Sequence, residues 1–180
     1  MKTAPLQGDP LQYVDDGVAG KCARDLALTQ LASAARVDAA SMTRAVIYHA
    51  SAAAITGRCE PIVSYTVAAG DTGGSTVGGR GQQPCTDRRS SPSEIVGAAV
   101  IVLPNTAAAQ GVCGKRVDQG AISTGDLIFW DYGDYRRTQV GIAVEATQLV
   151  TADPVSGDVV QREIPKTSDV RVKRVLESAR

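Results

Sequence analysis

The chain has 180 residues, 43% of them hydrophobic, with Lys+Arg and Asp+Glu balanced at 19 each. That is enough for one domain with a sizeable core, or one domain plus an extension. Zero formal net charge and 4% aromatic residues exclude an electrostatic or base-stacking case for a nucleic-acid partner, and give no attraction to an anionic membrane.

The N-terminal "MKTAPLQGDP" has no apolar core and does not read as a signal peptide. If the protein is exported, its signal sequence has already been removed. No stretch approaches the ~18 apolar residues that span a bilayer, so no membrane insertion is expected. Residues 1–37 are predicted to hold a loose leader and an extra helix, and 38–180 the main domain.

Residues 17–36, "GVAGKCARDLALTQLASAAR", are rich in good helix formers. Val18, Cys22, Leu26 and Leu28 to Leu31 fall roughly on one face. A second helix follows in "AASMTRAVIYHASAAAI", with Asp38 or Ser41 as its cap and Gly57 at its end. The two helices form an antiparallel hairpin, which places Cys22 and Cys59 at the same end and permits a bridge between them. The pattern then changes. "IVSYTV" (62–67) reads as a short strand, and a glycine-rich loop runs over about 68–90. That loop lacks a Gly-Lys-Ser/Thr ending and a GxGxxG between strand and helix, so it does not read as a phosphate cradle. "SPSEIVGAAVIV" (91–102) opens with Ser91, Pro92 and Glu94 in a capping-box arrangement and predicts a short helix. "LPNTAAAQGVCG" follows as a turn and a short helix. From Gly125 onward, "DLIFWDY", "TQVGIAVE", "QLVTAD", "VVQREI" and "VRVKRVL" read as a meander of antiparallel strands. Helices first and strands second is an α+β layout.

Four cysteines, Cys22, Cys59, Cys85 and Cys113, and a single histidine, His49, are the chemically distinctive residues. No cysteine lies in a CxxC pair, which argues against zinc. No metal and no cofactor are expected. An even number of isolated cysteines fits two disulfides in an exported protein. Four reduced, buried thiols in a cytosolic protein are the alternative.

Four pieces, in order, carry a family resemblance: "LPNTAAA" (103–109), "TGDLIFW" (124–130), "QVGIAVE" (139–145) and "QLVTAD" (148–153). Together they resemble the NlpC-type papain-like cell-wall endopeptidases over roughly residues 40–176. CHAP-type domains are the nearest rival at the level of fold. The resemblance implies a papain-like fold, N-terminal helices packed on a C-terminal antiparallel sheet. It also implies hydrolysis of peptidoglycan stem peptides by a cysteine at a helix N-terminus, a histidine on the next strand and a third polar residue.

Carried over position by position, the three catalytic slots fall on residues that cannot do this chemistry. The cysteine slot falls on Pro92, flanked by Ser91 and Ser93. The histidine slot falls on Gln139, whose amide cannot take up a proton at neutral pH. The orienting slot falls on Thr151. Losing acid–base help alone lowers a rate by about 10²–10⁴. The resemblance therefore implies a non-catalytic member at the bacterial cell envelope. It would bind a peptidoglycan peptide or scaffold a wall or secretion protein. Ser91, Ser93, Trp130, Tyr132, Gln139 and Thr151 would line the former groove; Trp130 and Tyr132, two apart on a strand, share a face. An active enzyme using Cys85 and His49 is the alternative. Cys85 is otherwise a disulfide half, with Cys113 a reasonable partner just beyond the Leu-Pro-x-Thr turn.

Overall fold

The computed structural model describes residues 17–33, 35–65, 85, 100–131 and 138–176. Two long helices come first, α1 (Gly17–Thr29) and α2 (Ala39–Thr56), followed by a single turn of helix, α3 (Ala107–Gln110). Six strands follow or flank it: β1 (Lys115–Val117), β2 (Leu127–Trp130), β3 (Gln139–Glu145), β4 (Gln148–Ala152), β5 (Val159–Glu163) and β6 (Arg171–Arg174). They form one antiparallel sheet in the order β1-β6-β2-β3-β4-β5. The architecture is α+β, with the helices N-terminal to most of the sheet. No helix among the described residues is long and apolar enough to cross a membrane.

The predicted first helix stops early. Thr29 Oγ1 donates to the Leu26 carbonyl at 2.8 Å, and Gln30 Nε2 reaches the same carbonyl at 3.2 Å. Such side-chain bonds compete with the helical ladder. Residues 30–32 tighten into a 3-10 turn, and Ser33 leaves it extended. The buried face is Ala19, Cys22, Ala23, Leu26 and Ala27, spaced as a helix requires. Val18 lies off that face and is exposed. α2 starts where predicted. The Asp38 carboxylate caps it by accepting from the Ser41 N–H at 3.1 Å, and Gly57 ends it in the left-handed region.

Residues 62–65 are irregular, not the strand predicted from "IVSYTV". Most of the predicted glycine-rich loop lies outside the described residues, as do positions 91–99 of the predicted capping-box helix. Residues 100–102 are not helical. There the Ile101 N–H donates to Ser51 Oγ at 2.9 Å, a bond to α2 in place of a helical one. The meander holds for β2 to β5, but β6 returns to the opposite flank of β2 and brings β1 with it. β1, with its exposed Lys115 and Arg116, has no apolar alternation to mark it in the sequence.

The sheet buries residues on both faces. Leu127, Phe129, Val140, Ile142 and Val150 pack against α1 and α2 in the main core. Ile128, Trp130, Ala143 and Leu149 form a second cluster, closed by Ile164 and Val170 from the connection between β5 and β6. Each large side chain so buried stabilises by about 1.5–3 kcal/mol. Gly125 needs to be glycine. Its φ is +92°, and an added Cβ would lie 3.3 Å from the Gly20 Cα of α1.

Both disulfides form. Cys22 bonds to Cys59 and Cys85 to Cys113, leaving no free cysteine. The first ties α1 to the residues just past α2, a bridge that the antiparallel hairpin permits.

Candidate functional site

A cleft of about 920 Å³ opens where four segments meet. They are the start of α2, the turn 105–108, the start of β3, and the turn from β4 to β5. The first two are tied together from beneath. The Gln110 side chain is fully buried and donates to the carbonyls of Pro104 (2.9 Å) and Ala40 (3.0 Å). It also accepts from Thr43 Oγ1 at 2.8 Å. Arg44 Nε donates to the Leu103 carbonyl at 2.8 Å. Thr106 caps α3 by accepting from the Ala109 N–H. These bonds fix the Leu-Pro-x-Thr turn against α2, so the cleft has a rigid wall.

Gln139 lines this cleft, as do Thr138 and residues 105–108. On β2 its cross-strand partner is Trp130, and directly opposed residues share a face of the sheet. Trp130 is nearly covered, belongs to the second cluster, and carries the Arg162 guanidinium 5.5 Å from its ring centroid. It is a packing residue and does not line the cleft. The strand ends at Trp130, and Asp131 has φ +60°. Tyr132, Ser91, Pro92 and Ser93 lie outside the described residues.

Thr151 is buried and does not line the cleft either. Its hydroxyl donates to the Val140 carbonyl at 2.6 Å. The glycine between Val140 and Ile142 makes this fit possible. A Cβ at Gly141 would sit 2.9 Å from Leu149 Cδ1 and 3.2 Å from Thr151 Cβ.

The Cys85 sulfur is bonded to Cys113, so the alternative Cys85–His49 pair has no thiol in the oxidised protein. His49 sits on α2 with its ring edge-on to Tyr48, centroids 5.6 Å apart, and does not line the cleft. Burial lowers its pKa below the ordinary histidine value, with Glu60 opposing.

Sequence reasoning missed Asp153. Continuing the β3–β4 register places it opposite Gln139, and both line the cleft. Its Oδ1 accepts from the N–H groups of Val155 (2.7 Å) and Ser156 (3.0 Å). Those bonds, that of Ser156 first, hold its carboxyl below the usual carboxylate range. The signal was present in "DPVSG", an Asp-Pro opening and a glycine close for a tight turn.

A smaller cavity of about 500 Å³ lies between α1 and residues 59–62. Of the predicted site residues it touches only Cys59. Among the described residues no group of three or more His, Cys, Asp or Glu could hold a metal ion.

No protein-family model matches the chain, and a search of curated proteins finds no significant match.

Proposed function

We propose that this chain has the NlpC-type papain-like fold without its chemistry, and acts as a binding or scaffolding domain of the bacterial cell envelope. The observation that carries the reading is the shared cleft of Gln139 and the Leu-Pro-x-Thr turn. Two sequence elements more than thirty residues apart meet at one concave surface, where the resemblance puts a substrate groove. The residue at the histidine slot is an amide with no basic nitrogen. All four cysteines are in disulfides, which leaves no thiolate to attack a carbonyl. Two disulfides also fit an oxidising compartment, outside the cytoplasm.

The ligand of this reading is a peptidoglycan stem peptide, held and not cut. Co-sedimentation with purified peptidoglycan tests it. Retention in the pellet with no release of peptide fragments is the expected result. A domain that contacts only another envelope protein stays in the supernatant, and release of fragments would mean that catalysis persists.

A further inference from the structure

β5 is the last strand of the sheet, and among the described residues no strand pairs with its outer side. Register tells which of its backbone groups face outward. The Asp153 N–H donates to the Asp158 carbonyl at 2.8 Å, and the Ile164 N–H to the Thr147 carbonyl at 2.9 Å. Directly opposed residues of an antiparallel pair alternate between bonded and unbonded. Counted inward from those two bonds, Val160 and Arg162 bond to β4, opposite Thr151 and Leu149. Val159, Gln161 and Glu163 therefore turn their N–H and C=O groups away from β4. None of these groups takes part in a backbone bond elsewhere among the described residues. The open stretch has defined ends. On one side the Val37 N–H donates to the Gly157 carbonyl at 3.0 Å, and on the other Pro165 follows Ile164.

Sheet edges are ordinarily shielded by proline, lysine, a bulge or a covering segment. β5 has no proline or lysine, and its register with β4 is unbroken. Its one cation, Arg162, is laid over the Trp130 ring, 5.5 Å from the centroid. The geometry points to a second copy of this chain as the occupant. The two β5 strands pair antiparallel about a two-fold axis at Gln161 and join two six-stranded sheets into one. In this register Val159 meets Glu163 of the second copy, and Gln161 meets Gln161. Every outward group of the open stretch is then paired, and none is left over. Val160 meets Arg162 of the second copy, whose diagonal neighbour is Asp158, an opposite charge otherwise held only in an exposed pair with Arg36 at 3.9 Å. The neighbouring registers fit less well. An axis at Arg162 sets two guanidinium groups directly opposite each other, which destabilises a strand pair. An axis at Val160 brings Glu163 of the second copy against Gly157, whose carbonyl Val37 already holds.

The edge is narrow, so association is weak and reversible. Sedimentation equilibrium of the whole, unreduced chain from about 10 to 500 μM covers the range in which so small an interface forms. A monomer–dimer equilibrium is expected. Gln161→Pro removes an outward N–H and no bond to β4, and should weaken the dimer at least about tenfold. Gln161→Lys and Gln161→Glu leave the backbone whole and set like charges face to face. Each alone should weaken the dimer about two- to fivefold, and an equimolar mixture of the two should recover it. Circular dichroism of the Lys and Glu variants should match that of the native protein. A native chain that stays monomeric throughout overturns the proposal. So does a dimer that the substitutions leave unchanged, or a mixture that associates no better than either charged variant alone. None of these results bears on what the cleft binds.

Discussion

The hydroxyl of Thr151 donates to the carbonyl oxygen of Val140, the residue next to Gln139. Its one proton is therefore committed to the backbone, and it holds β4 against β3 instead of orienting a neighbouring side chain. Thr151→Val keeps the shape and removes the bond. It should lower stability by about 1–2 kcal/mol, because the carbonyl is left buried with a partner lost. Urea unfolding measures this. Retention on peptidoglycan should not change, and a loss of binding with stability intact would place Thr151 in the site after all.

Asp126, the aspartate of the Gly-Asp-Leu element, is almost fully buried and pairs with Arg174 through two bonds of 2.8 Å. Its Oδ2 also accepts from the Ser123 N–H. The pair joins the entry of β2 to the end of β6. Removing only the guanidinium leaves a buried charge without its partner, so Arg174→Ala should cost about 3–5 kcal/mol. Arg174→Met with Asp126→Leu should cost less than Arg174→Ala alone, since neither charge remains. Thermal unfolding of the three proteins separates these outcomes.

The two disulfides close loops of similar length, with separations of 37 and 28 residues. Loop-closure entropy gives each about 4 kcal/mol. Their exposure differs. Cys22 and Cys113 are both buried, but Cys59 is exposed where Cys85 is only half-buried. Mass spectrometry of the unreduced protein should find no free thiol. A mild dithiol should open Cys22–Cys59 first, because attack requires access to a sulfur. A reactive Cys85 in the unreduced protein would restore the Cys85–His49 alternative.

His49 is the chain's single histidine, and burial holds its pKa below the ordinary value. The folded state then binds fewer protons than the unfolded state between the two pKa values. Stability from this group is fully present above the unfolded value, about 6.5, and declines as pH falls through the window beneath it. The melting temperature should drop between pH 7 and pH 5.5, and His49→Gln should flatten that part of the profile. Partial exposure keeps the effect small. An unchanged slope in His49→Gln would assign it to carboxylates.

Local chemistry made part of the fold legible. Asp38 and Gly57 bound α2 because capping and a left-handed end need those residue types whatever surrounds them. Strands β2 to β5 showed in runs of Val, Ile and Leu bounded by turn residues. Where local side chains compete with the backbone, the reading failed, as at Thr29 and Gln30. β1 carries no apolar signal, because its place depends on pairing with β6.

Of the candidate site, residue type alone decided the chemistry at one position. Gln139 cannot serve as a base in any fold, since an amide has no proton acceptor at neutral pH. Everything that depends on direction was left to tertiary structure. Strand alternation made Trp130 a groove candidate and the family resemblance made Thr151 one; in the structure one packs under Arg162 and the other bonds to Val140. Asp153 stood at the end of the predicted strand "QLVTAD" with no role, yet extending the strand register sets it across from Gln139 in the same cleft. Residue type limits what a side chain can do. Packing and register decide what it faces, because those come from contacts far apart in the chain.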